Sequence, residues 1–516
     1  MKNTLAMRIA ALTLCLLIIL SAAGCRKSSS GDKEFSEWSY YENYEDVPSG
    51  EKNSPGDKAN ENSGVKTKSK GGETDDSKSD SGTKTGGKTM SREFLNSLKG
   101  MTINITDLYK DDTPQKGTAI GNMYFANLNK VASKYGITLK YKITNLDQAA
   151  LQASFLAGNP EVDVFSCQDY LFPSYITSGS CADLTAAMKT LGLNLKEDWY
   201  DSNVTSLYNI NNKQVAYASG TRDVLMIAYN KRIINEHGLT DPYTLYEKGE
   251  WNYNKLAQYA ESMLTKSKDG STQVWGFMSP SAQTLFEMLV YNNGGSLINI
   301  KNGKFDISCM SDSKTIQALN YFHDWYVSNK IIEIGMSTWQ EPYDTFIAGK
   351  IGMFLTGDYL FSRIQEKGGM SDTIGIVPFP KGPSGAKTNE SYMNCWPTAV
   401  VKSREKDAAK YLYIMNEFYK LQYEQQANYC KTKYGSVIRD SKAYKAYFKR
   451  LTNAVKMDLT YMKASGTIFE DGGYMGFTMA IFANNQTPSA AVSAYKGVIP
   501  NVINDIWGDS KFTGFN

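Results

Sequence analysis

The 516-residue chain carries 56 basic and 53 acidic side chains, a formal charge of +3. That balance leaves no electrostatic footprint for nucleic acid. With only two histidines, His237 and His323, a histidine-rich metal site is excluded, and none of the seven cysteines forms a CxxC pair.

At the start of the chain, Lys2 and Arg8 precede the twelve uncharged residues Ile9 to Leu20. As a helix this run would span about 18 Å, short of the roughly 30 Å of a bilayer core. It therefore reads as a cleaved export signal, residues 1–24, rather than a membrane span. The stretch Leu20-Ser21-Ala22-Ala23-Gly24-Cys25 resembles the lipobox of bacterial lipoproteins, with Ala22 where leucine is commonest. The resemblance implies that Cys25 becomes a lipidated N-terminus bearing acyl chains such as palmitate. Two such chains suffice for stable anchoring. An ordinary signal peptide with an incidental cysteine is the alternative.

Residues 25–95 form a second composition class. From Lys66 to Lys88 there are almost no apolar side chains. Such a segment cannot bury enough surface to offset chain entropy and is expected to be disordered. About 70 flexible residues reach roughly 45 Å, so the segment reads as a leash. The aromatic patch Trp38, Tyr40, Tyr41 and Tyr44 within it is assigned no function. The rest of the chain is expected at the extracellular face of the membrane.

Residues 96–516 exceed the size at which single cores stop growing, so two interleaved lobes are expected. Ile103–Leu108 reads as a strand. Phe125, Leu128 and Val131–Ala132 recur at helical spacing. Ile137–Ile143 alternates as a strand, Leu146–Leu156 is helical, and Val162–Phe165 is a short buried strand. This order predicts a largely parallel, doubly wound α/β sheet. Val224–Tyr229 reads as a strand, followed by a helix closing at Gly238. A helix-rich region runs from Asn252 to Asn329. Strands are expected at Ile351–Leu355, Ile374–Val377 and Ala399–Val401. A helix should follow from Lys406 to Tyr419 with Ser403 as its N-cap. The remainder reads as helical.

Five segments in this order resemble the extracellular solute-binding proteins of carbohydrate ABC transporters. They are Glu161–Phe165, Tyr229–Leu239, Asp241–Leu256 with Gly249-Glu250-Trp251, Gly349–Phe354 and Gly375–Pro383. The likeness covers residues 100 to 510. It implies a periplasmic-binding-protein-like fold, two α/β lobes with a hinge and a ligand cleft between them. It also implies delivery of a sugar to membrane permease subunits, with no cofactor. A monomer is expected. The Asn230-Lys231 pair reads as capping and solvating a helix rather than touching ligand.

Sugar recognition needs aromatic faces and fixed polar groups. Polar–aromatic clusters just after strands are therefore the candidates. Gln168-Asp169-Tyr170 follows Val162–Phe165; Asp169 is either a hydroxyl acceptor or a helix N-cap. Asp358 follows Ile351–Leu355, where the family often has a tryptophan and this chain has none between Trp339 and Trp396. Trp396 is the favoured stacking residue. Arg222 either donates to ligand or pairs with a carboxylate such as Asp223. Trp339, beside Glu341, and Asp471 with Tyr474 complete the set.

Two rivals remain. A surface glycosidase needs two carboxylates about 5–9 Å apart, and Asp169, Glu341, Asp358, Glu470 and Asp471 supply acids near aromatics. A receptor for a non-sugar solute, or a sensor subunit, would keep the fold. No GxSxG elbow and no GxxxxGK[ST] loop occurs. The cysteines beyond Cys25 read as buried apolar thiols; a Cys167–Cys181 disulfide is the alternative.

Overall fold

The computed structural model describes residues 84–514 apart from 86–87, 108–116, 118, 143–147, 168–170, 194, 196, 198, 201, 219–222, 336–337, 339, 386–391, 395–396, 426–433, 453–455 and 458–473. Packed chain begins before residue 96. Ser91 caps the helix Arg92–Asn96, and Met90 and Leu98 are buried in the first core. The expected leash boundary at residue 95 is thus too late. The polar tract ends in a short apolar cluster, Met90, Phe94, Leu95 and Leu98, that has a core to join.

The first lobe is built on a five-stranded sheet. Its order is Thr138–Tyr141, Thr102–Asp107, Val164–Ser166, Pro397–Val400 and Tyr217–Ala218. The first three strands are parallel. The Pro397 strand runs antiparallel to both of its neighbours. The parallel sheet expected from β-α-β-α-β order is therefore confined to the first three strands. The Pro397 strand enters after the chain has visited the second lobe, so no crossover helix dictates its direction. Both faces are covered, as the strand period of two requires. Val164 and Val400 face one core, while Phe165, Ala399 and Val401 face the other.

The second lobe holds a six-stranded sheet, Thr265–Lys266, Thr272–Ser279, Ile351–Thr356, Met226–Asn230 and Ile374–Val377 in order, with Glu333–Ile334 beside the Thr272 strand. The Met226 strand is antiparallel to both of its neighbours. Ile227, Tyr229, Met353 and Leu355 face one core; Met226, Ala228, Ile351 and Phe354 face the other. The Thr272 strand and the hairpin Asn299–Lys301/Lys304–Asp306 interrupt the region expected to be helical. Between these lobes lies a three-stranded sheet of Lys456–Met457, Tyr392–Asn394 and Asp223–Val224. Each strand is two or three residues long. The chain passes through it from Ala218 to Met226 and again from Val377 to Pro397.

Ser403 does not cap the long helix. Residues Lys402–Asp407 form a 3₁₀ turn, and the helix Ala408–Glu424 starts from Asp407 without a side-chain cap. Cys167, Cys181 and Cys309 are buried thiols, not halves of a disulfide; burial pushes the Cys181 thiol up. Cys395 and Cys430 lie outside the described residues.

An ion cluster ties two helices of the second lobe together. Arg363 donates from Nε and Nη2 to the two carboxylate oxygens of Asp344, at 2.8 and 2.9 Å. Lys367 adds a contact at 2.9 Å. The Arg363 hydrogen bonds hold the Asp344 carboxyl below the ordinary range. A folded value below the unfolded one stabilises above the unfolded pKa, and the gain is lost as pH falls. Asp344→Asn should therefore lower Tm at pH 7, and the gap to wild type should begin to narrow below about pH 4 and go on narrowing as pH falls toward the lowered folded value. Melting curves of both proteins from pH 7 to pH 3 check this. A gap that stays constant would sink the assignment.

Candidate functional site

Strand ends, rather than any one side chain, define the site. In the first lobe Asp107 and Thr398 both pair with Ser166, and Pro397 pairs with Ala218. The segments after Asp107, Cys167 and Ala218, and the one before Pro397, therefore leave from one end of the sheet. In the second lobe Thr356 pairs with Met226, and Val377 with Ile227. Ile334 lies beside Ser279, and Phe354 beside Met278. The carboxyl ends of four strands thus gather at the start of the Met226 strand. Ala218 and Met226 are eight residues apart, so the two gatherings lie within about 28 Å of one another. In open α/β sheets ligands bind beyond the carboxyl ends of strands.

Asp358 stands at the second of these ends. It occupies the cap position of the helix Tyr359–Glu366 but makes no side-chain cap bond. Tyr434 instead donates its hydroxyl to Asp358 Oδ2 at 2.8 Å. Tyr434 is itself fixed by ring contacts with Phe361 and Tyr447, at 5.4 and 5.0 Å. A carboxylate oriented by a buried aromatic network suits recognition, because its geometry is set before ligand arrives. Sequence reading did not find Tyr434, whose role depends on a partner 76 residues away. Glu333, half-buried at the same end, was also unmarked; burial raises its carboxyl above the ordinary value.

Gln168, Asp169, Tyr170, Arg222, Trp339, Trp396 and Asp471 lie outside the described residues. Tyr474 opens the helix Tyr474–Phe482, and its side chain also lies outside them. What the fold does show is the flanks. Cys167, Ala218 and Pro397 leave the first-lobe sheet at one end, while Asp223 and Asn394 pair in the crossing sheet. The helix after Asp169 is capped by Leu171, with Pro173 in its first turn. Of the acids weighed for glycoside cleavage, Asp358 and Glu341 alone are described, and Glu341 opens the helix Glu341–Ile347.

The five sequence segments form a structural spine. Asp163 accepts from the Asn104 backbone N–H at 2.8 Å and from Arg404 Nε at 2.7 Å. Asn230 caps the helix Lys231–Glu236, accepting from Arg232 and Ile233. Lys231 reaches Asp440 at 2.6 Å. The Tyr229 hydroxyl donates to Asp241, itself the cap of the helix Pro242–Glu247. Trp251 Nε1 donates to the Pro378 carbonyl at 2.9 Å. The capping reading of the Asn230-Lys231 pair thus matches the geometry. Among the described residues, no His, Cys, Asp and Glu cluster could hold a metal ion. No described helix is long and apolar enough to cross a membrane.

Residues 124–413 match the family model described as bacterial extracellular solute-binding protein. No curated protein sequence matches the chain. Solved structures do. An ABC substrate-binding protein from Listeria monocytogenes, in complex with cycloalternan, is 16% identical with a TM-score of 0.58, covering 80% of this chain and 100% of that one. A cyclic α-maltosyl-1,6-maltose binding protein from Arthrobacter globiformis is 14% identical, again with a TM-score of 0.58, covering 79% and 100%. The GacH receptor of Streptomyces glaucescens, solved unliganded and with acarbose, is 18% identical with a TM-score of 0.55, covering 79% and 99%.

Proposed function

The chain belongs to the bacterial extracellular solute-binding proteins, and we propose that it captures a sugar or oligosaccharide and hands it to an ABC transporter permease. The observation that carries this reading is the gathering of strand ends on both lobes at the short crossing sheet. Crossing segments whose only regular structure is strands of two or three residues can absorb a hinge rotation while each lobe stays rigid. Closure would bring the two groups of candidate residues onto one ligand. Similar structures with bound cycloalternan and acarbose support a carbohydrate class.

In this proposal Asp169, Asp358 and Asp471 accept sugar hydroxyls, and Gln168 and Arg222 donate to them. Trp396, Trp339, Tyr170 and Tyr474 offer ring faces. The receptor is a non-catalytic monomer, held at the outer membrane surface by lipid on Cys25 through the 25–95 leash.

A thermal-shift screen of residues 26–516 against mono- and oligosaccharides tests the proposal. A sugar at about 100 times its Kd should stabilise the fold by about 2.7 kcal/mol and raise Tm by a few degrees. Chromatography should recover the sugar intact. Cleaved sugar would replace this reading with a glycosidase. A shift by peptides or polyamines but by no sugar would replace it with a receptor for another solute.

A further inference from the structure

The lobes are joined by more than the crossing strands. The helix Ile499–Trp507 starts in the second lobe, where Ile499 is buried with Phe286 and Leu289. It ends in the first, where Trp507 is buried with Phe172 and Tyr208. Ile503, midway, packs against both cores. Gly508 then turns the chain with φ 51 and ψ −125, a backbone state that suits glycine.

Residues 511–513 next run between the first-lobe hairpin Asn209–Ile210/Lys213–Gln214 and the hairpin Asn299–Lys301/Lys304–Asp306, which extends from the second lobe and itself reaches the first-lobe core through Ile300 and Phe305. On the first-lobe side, the Asn211 backbone N–H donates to the Lys511 carbonyl at 2.7 Å. The Lys511 N–H donates to Asn211 Oδ1 at 2.9 Å. The Thr513 N–H donates to the Asn209 carbonyl at 2.8 Å, and the Asn212 N–H to Thr513 Oγ1 at 2.8 Å. On the second-lobe side, the Phe512 N–H donates to the Gly303 carbonyl at 2.8 Å. The Phe512 ring lies 4.3 Å from Phe305 and 5.0 Å from Trp507. Both hairpins turn through left-handed residues, Asn211 and Asn212 in one, Asn302 and Gly303 in the other. Such tight turns are stiff anchors.

We infer that residues 508–513 are an interlobe strap that limits how far the lobes swing about the crossing strands. The first-lobe hairpin makes six hydrogen bonds to the strap, two of them from the Thr513 hydroxyl to Asn209, whereas the other hairpin makes one hydrogen bond, a ring contact and a Lys304–Asp509 ion pair at 3.7 Å. Rotation must therefore strain the Phe512–Gly303–Phe305 contact or carry its hairpin along. This rests on the hinge reading above, but its test needs no ligand, so a failed sugar screen leaves it intact.

Hydrogen exchange of the full chain, followed by mass spectrometry, is the test. In Phe512→Ala the amides of Val224, Met393 and Asn394 in the crossing sheet should exchange about tenfold faster, the scale of a modest coupling between sites. Core amides of Ile227 and Phe354 should keep their rates. Faster exchange confined to the strap and its two hairpins would overturn the inference. If Phe512→Ala speeds the core amides equally, or fails to fold, Thr513→Val decides. It keeps the side-chain shape and removes the hydroxyl, and again the crossing-sheet amides must respond for the strap to stand.

Discussion

Trp251→Ala is expected to cost about 3–5 kcal/mol of stability, the range for emptying a large aromatic site in a packed core. Trp251 is only 2% exposed. Its ring meets Tyr259 edge-on at 5.9 Å. Its N–H satisfies the Pro378 carbonyl, just beyond the Ile374 strand. The adjoining backbone repeats the link, since the Tyr253 N–H donates to the Lys381 carbonyl at 3.1 Å. Removing the indole therefore opens a cavity and strands a buried acceptor together. Trp251→Phe separates these effects. It retains most of the packing and should cost less, with about 1 kcal/mol of its loss from the missing hydrogen bond. Urea unfolding of both variants measures the difference. A cost under about 1 kcal/mol for Trp251→Ala would refute the assignment of this residue as a core anchor.

Gly276→Ala should destabilise by about 3 kcal/mol or more, at the upper end for overpacking. A Cβ built on Gly276 would stand 1.7 Å from the Ala260 carbonyl oxygen and 2.5 Å from its carbon. These are backbone atoms of the helix Tyr253–Met263, so no side-chain rotation relieves the clash. The helix would have to lift from the Thr272 strand, whose inward residues share its core. Gly497→Ala is the control. Its Cβ would meet nothing within 4 Å, and its cost should stay within about 0.5 kcal/mol. Equal melting temperatures for the two variants would contradict the close packing of helix on sheet.

Parts of the five segments that carry the family likeness are legible because some of their residues act on near neighbours. Asn230 caps the turn that begins one residue later. Asp241 caps the helix that Pro242 opens. A short continuous apolar run exposes strands such as Ile351–Thr356, whose residues are buried on both faces. The Thr272 strand was hidden for the opposite reason. Its first half is partly exposed and carries Gln273 and Trp275, so no clean apolar period marks it. Asp358 stands out in the sequence by its place after a strand, but Tyr434, which orients it, does not.

Local chemistry written along the chain therefore determined much of the element order and the capped helices, since those interactions span only a few residues, while chain length pointed to two lobes. Tertiary structure alone decided strand direction after the second crossing and the gathering of strand ends from both lobes. It also decided the Asp163–Arg404 pair, 241 residues apart in sequence, and the strap between two hairpins. Each of these depends on groups that become neighbours only when the chain has closed loops far longer than any sequence period.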